Sequence, residues 1–157
     1  MHIPEEEQLY RDFDWFCVDS EGFIGHFATA GFKMLPASVA KSRENLDLLM
    51  HYFAGVAPSR GGHIVDGDLV RHLPKGTSIS ERFLRSYVAM ADKGLYSYDI
   101  ESYLREDITY FRVALPMCPL HISELTIEMR EVLGRTVLEM IRFRDVTEIA
   151  YAATLNA

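Results

Sequence analysis

The stretch that decides the fold is Asp14 to Gly31, DWFCVDSEGFIGHFATAG. Asp19-Ser20-Glu21-Gly22 places Asp at the first position of a type I turn and Gly at the fourth, where a left-handed residue makes a bulge between two antiparallel arms. The arm before it, Asp14 to Val18, carries aromatic and β-branched residues on both faces. The arm after it, Phe23 to Thr29, sets Phe23 and Phe27 on one face and Ile24 and His26 on the other. An arm apolar on both faces belongs inside a sheet, so the stretch predicts a buried hairpin anchored by Trp15. Asp19 is its turn former. Asp14 and His26 are expected near opposite ends of their arms, which makes the hairpin scaffold rather than a site.

Outward from the hairpin the period changes. KSRENLDLLMHYFAG has Ser42 as N-cap, Leu46, Leu49, Met50 and Phe53 at helical spacing, and Gly55 as its stop. SISERFLRSYVAMADKG repeats that grammar, with Ser78 and Glu81 as a capping box and Gly94 as terminator. Leu95 to Glu101 and Ile108 to Leu115 read as two paired strands. SELTIEMREVLG is a third helix, capped by Ser123 and ended by Gly134, and residues 136–146 fit either strand or helix by period, with the Gly134 stop and the Ile and Val content favouring a last strand. The expected fold is a single α+β domain over residues 1–157, a mostly antiparallel sheet with about three helices on one face and an acidic, mobile segment at 1–11.

Composition narrows function by exclusion. The chain has 157 residues, 48% of them hydrophobic and 25% charged, which suits one globular domain. No basic leader followed by an apolar run begins it, and no run approaches the ~18 apolar residues that span a bilayer. No membrane partner and a cytoplasmic location are therefore expected. The two cysteines, Cys17 and Cys118, lack CxxC spacing and read as reduced thiols.

The net charge of −7 is unevenly placed. Residues 1–21 carry seven acids against Arg11 alone, whereas residues 33–93 carry nine Lys or Arg against six acids. No aromatic-interleaved basic stripe accompanies the latter, so nucleic acid is not an expected partner. The acidic leading segment suits a basic protein partner. Glu5, Glu6 and Glu7 are its candidate docking charges, with Tyr96, Tyr98 and Tyr103 as candidate aromatic anchors.

The remaining chemistry is sparse. GGHIVDGDLVRH offers His63, Asp66, Asp68 and His72 as candidate ligands for a divalent ion, against a plain turn made by the Asp-Gly pair. SRGG at 59–62 lacks the lysine and hydroxyl residue of a phosphate-binding loop. No motif calls for a cofactor, and none of the nucleophile-elbow, HExxH or GxGxxG patterns occurs.

DWFCVDSEGFIGHF together with YFRVALPMCPLHISEL resembles a group of small uncharacterised bacterial proteins that share an Asp-Trp-Phe, Val-Asp, Gly, Ile, His-Phe opening. The likeness covers about a third of the chain and implies no activity. In size and acidity the chain is similar in general character to immunity proteins that neutralise toxins. The expectation is a protein-binding module of that kind, without catalytic activity. The alternative is a small-molecule-binding protein or enzyme with a pocket near the 58–72 loop, with or without a metal ion.

Overall fold

A computed structural model describes residues 1–102 and 107–157. The hairpin forms as expected, with β1 (Asp14–Asp19) antiparallel to β2 (Ile24–Ala28). Gly22 has φ +86° and donates its N–H to the Asp19 carbonyl at 3.1 Å. Asp19 does more than form the turn. Its Oδ1 accepts from the backbone N–H groups of Glu21 and Phe23, and its Oδ2 accepts from Phe143 N at 2.8 Å, tying the C-terminal segment to the hairpin.

Among the described residues the hairpin lies inside a seven-stranded sheet. β2 pairs in parallel with β4 (Tyr96–Ile100), which pairs antiparallel with β5 (Thr109–Pro116). The outer edge of β5 is shared by β3 (His63–Val65) and β7 (Glu148–Ala150), both antiparallel to it. At the other edge β1 pairs in parallel with β6 (Val137–Leu138). The α+β class holds, but the sheet is mixed rather than mostly antiparallel in character. Between β2 and β4 the chain runs out through two long helices and returns in the same direction, the crossover that a parallel pair requires.

Those helices are α3 (Arg43–Gly55) and α4 (Glu81–Asp92). With α5 (Ile127–Leu133) they cover the face that carries Phe16, Ile24 and Ala28. The opposite face, with Trp15, Phe27, Tyr98 and Tyr110, is sealed by Ile3, Leu35, Leu138, Phe143 and Ile149. Three short helices, α1 (Glu5–Tyr10), α2 (Ala37–Ala40) and α6 (Tyr151–Thr154), bring the described residues to six helices instead of three, not confined to one face. Each is too short to announce itself by period.

The ends of the elements correct several expectations. Ser42 Oγ caps α3 by accepting from Asn45 N at 3.2 Å. α4 is capped by Ser80, which accepts from Phe83 N, and not by Ser78. α5 begins after Thr126, because Ser123 lies in a 3-10 turn (Ile122–Glu124) capped by His121. Of residues 136–146 only Val137 and Leu138 are strand. Beyond them the chain turns twice, through Leu138 O to Ile141 N and Arg142 O to Asp145 N, to deliver Phe143 to Asp19. The N-terminal segment makes contacts with the rest of the fold: Ile3 is fully buried, its N–H reaches Ala40 O, and Gln8 bridges Ile3 O and Leu35 N. Among the described residues no helix is long and apolar enough to cross a membrane.

Candidate functional site

Asp14 and His26 are not far apart. Asp14 stands opposite Ala28, two residues from His26 on the same face, so the pair are diagonal cross-strand neighbours. His26 Nε2 lies 3.1 Å from Asp14 Oδ1, and His26 Nδ1 lies 2.7 Å from Ser97 Oγ on β4. Counting register back from the Asp19–Gly22 turn finds the first contact; the parallel strand that brings Ser97 leaves no such signal. Around the ring sit Phe16 and Tyr87, and beyond them the Asp99 carboxyl, which faces the Tyr87 hydroxyl. Burial raises the Asp99 carboxyl above its ordinary range, outweighing the backbone N–H of Ile100 and the Tyr87 hydroxyl, which favour the charged form.

A carboxylate, an imidazole and a hydroxyl in line have the order of a nucleophilic triad, but access is inverted. Asp14 is the open end, with 39% of its side chain exposed, while His26 is 1% and Ser97 0% exposed. Acyl transfer needs the hydroxyl, not the acid, to meet the substrate. The chain of contacts therefore orients a buried histidine and satisfies both of its nitrogens.

The four candidate metal ligands are dispersed. His63 Nδ1 lies 2.7 Å from Asp92 Oδ1 at the end of α4. Asp66 is buried, where its Oδ2 accepts from Arg112 Nε at 2.7 Å and its Oδ1 from Asp68 N. Asp68 is half-exposed 4.0 Å from Arg71, and His72 stacks on Phe111 with Nε2 3.2 Å from Glu148 Oε1 but without a hydrogen bond. Among the described residues no group of three or more His, Cys, Asp or Glu is placed to hold a metal ion. Leu69, which follows Asp68, is fully buried.

The tyrosines are corrected in the same way. Tyr96 and Tyr98 are buried, because period 2 along β4 points both toward Phe27 and Phe143. Tyr98 stacks on Phe27 at 4.8 Å between centroids and donates its hydroxyl to Val146 O. Tyr103 lies outside the described residues. Of the acids, Glu7 is spoken for by Arg11 and Arg43. Its partial desolvation raises the carboxyl, but the two guanidinium groups outweigh that and hold it below the ordinary range. Glu5 and Glu6 stand exposed on α1.

The exposed aromatic surface lies beside those two acids instead. Leu9 and Tyr10 project from the last turn of α1, and Phe32, 61% exposed, donates its backbone N–H to Leu9 O at 3.1 Å. Phe32 is held there by three successive residues in the left-handed region, Ala30 at φ +53°, Gly31 at +73° and Phe32 at +56°. Two of the three are not glycine, and each such residue costs on the order of 1 kcal/mol. Clefts open on both sides of α1, one floored by Leu35, Ala40 and Leu155, the other lined by Glu6, Tyr10 and Arg11.

Comparison with known proteins found no matching family model, no matching curated protein and no matching solved structure.

Proposed function

We propose that the chain is a protein-binding module, of the character of an immunity protein, that docks a basic polypeptide on the surface made by Leu9, Tyr10 and Phe32, with Glu5 and Glu6 as its acidic rim. The observation that carries the reading is the strained turn. A chain holding two non-glycine residues at positive φ beside a phenylalanine exposed to water stores strain, and such strain gathers where another molecule is engaged. Aromatic side chains ringed by charge are the usual anatomy of an interface, the rings supplying affinity and the rim supplying on-rate and choice of partner.

The test is affinity capture from the native host with the wild type, Phe32→Ala and the double variant Glu5→Gln, Glu6→Gln, followed by binding kinetics at two salt concentrations. The reading expects a basic protein retained by the wild type, lost from Phe32→Ala, and associating more slowly with the charge variant and in high salt. A partner retained equally by all three proteins, with no salt dependence, overturns it.

A further inference from the structure

Of the two clefts beside α1, the one floored by Leu35, Ala40 and Leu155 is the larger, at about 520 Å³ against about 360 Å³. That size lies within the range of small-molecule sites, and the lining has their usual composition, an apolar floor with a few polar groups at the rim. Two backbone bonds hold the segments around it together, Ile3 N–H to Ala40 O at 2.8 Å and Ala37 N–H to Leu155 O at 3.0 Å. Gln8, the buried polar residue of the lining, has both ends of its amide satisfied by Ile3 O and Leu35 N, so it asks nothing of a ligand. The charges at the rim differ. Glu5 stands in the first turn of α1 and Lys41 just past α2, both exposed on the same cleft. The nearby acids Glu7 and Glu44 are compensated, Glu7 by Arg11 and Arg43 and Glu44 by the Met1 amino group. Among the described residues the side chains of Glu5 and Lys41 have neither an ion pair nor a hydrogen bond, and they do not pair with each other.

We propose that this cleft binds a short apolar peptide of two or three residues with both ends free, its α-amino group at Glu5, its carboxylate at Lys41 and its side chains on the apolar floor. An uncompensated carboxylate and an uncompensated ammonium on one cleft are met together by a ligand that carries both opposite charges, and the floor between them selects an apolar body. The interior of a long polypeptide has neither terminal charge, and a fatty acid or an alkylamine has only one. A single amino acid carries both charges on one carbon and leaves most of the volume unfilled. An extended chain advances about 3.3–3.6 Å per residue, so two or three residues set the termini roughly 7–10 Å apart, enough to engage two groups that do not reach each other. The inference does not rest on the docking reading, because Tyr10 and Phe32 do not line this cleft.

The experiment is calorimetric titration of the native protein near neutral pH with leucyl-leucine, N-acetyl-leucyl-leucine and leucyl-leucinamide, repeated with Glu5→Gln and Lys41→Gln. The wild type is expected to bind leucyl-leucine about threefold or more tightly than either capped form, the modest factor that one exposed ion pair supplies. Glu5→Gln should abolish the preference over the acetylated peptide and keep the preference over the amide, and Lys41→Gln should do the reverse. Both side chains are exposed, so both variants should melt with the wild type. No binding of leucyl-leucine at millimolar concentration overturns the proposal. Equal binding of the three peptides by the wild type overturns it as well, and so do variants that keep the wild-type pattern of preference.

Discussion

His26 and Asp14 meet diagonally across the hairpin at 3.1 Å, and the other imidazole nitrogen is held 2.7 Å from Ser97, which is fully buried. Removing the two partners should therefore have unequal costs. Ser97→Ala strands a buried ring nitrogen and should destabilise the fold by about 1–3 kcal/mol, whereas Asp14→Asn acts at a half-exposed contact and should cost about 1 kcal/mol or less. Urea unfolding of the two variants decides the order. Equal costs would mean that the ring is positioned by packing against Phe16 and Tyr87 alone.

The turn of the same hairpin is doubly constrained. A Cβ on Gly22 would stand 2.4 Å from His121 Nε2, and its φ of +86° disfavours any side chain. Gly22→Val should destabilise by more than the ~1 kcal/mol expected for backbone strain alone. The double variant with His121→Ala separates the two causes: part of the loss should return, as a coupling of about 0.5–3 kcal/mol between neighbours, and the remainder is the strain. Additive costs would place the steric contact elsewhere.

What was legible in the sequence tracks how local its cause is. The hairpin, α3, α4 and the β4–β5 pair are written in turn chemistry, caps and period within a dozen residues, and they form where expected. The parallel pairings of β1 with β6 and of β2 with β4 depend on segments brought together from far along the chain, and nothing near Val137 or Ser97 announces them. The same limit hid the surface. Tyr96 and Tyr98 look like interface material by composition but alternate inward. Phe32 looks like one more apolar residue and becomes exposed only because Ala30, Gly31 and Phe32 all turn left-handed.

The 58–72 loop should be indifferent to metal. Zinc, manganese and EDTA are expected to leave the melting temperature unchanged, because among the described residues the four candidate ligands are not gathered into a group that could hold an ion. Asp66→Ala should nevertheless be severe, at about 3–5 kcal/mol, because it leaves the Arg112 guanidinium buried without its carboxylate. Thermal melts with and without metal check both. A metal-dependent shift abolished by Asp66→Ala would restore the ligand reading.

Asp99 gives the pH dependence a definite sign. Its carboxyl is raised in the folded protein, chiefly by burial, above the ordinary 3.8. At pH values between 3.8 and the raised value the folded state binds more protons than the unfolded state, so this group's contribution to stability falls as pH rises through that window. Asp99→Asn keeps the size and removes the charge. Its stability relative to the wild type should improve on going from acid to neutral pH, measured by urea midpoints across that range. A difference that stays constant with pH would show that the Asp99 carboxyl titrates alike in the folded and the unfolded protein.

The strained turn allows stability and docking to be moved in opposite directions by one residue. Phe32→Gly removes a side chain that is mostly exposed and places glycine where φ is +56°, so it should raise the free energy of unfolding by up to about 1 kcal/mol. Phe32→Ala keeps a Cβ at the same positive φ and should leave stability nearly unchanged. If the phenylalanine is the anchor of the interface, both variants should lose at least about 2 kcal/mol of binding, roughly thirtyfold in Kd. A residue kept at a cost to its own fold is the pattern expected where function and stability compete. Urea unfolding read beside binding kinetics gives both quantities. Phe32→Gly that is less stable than the wild type would mean that the ring packs in the fold, and unaltered binding by both variants would remove Phe32 from the docking surface.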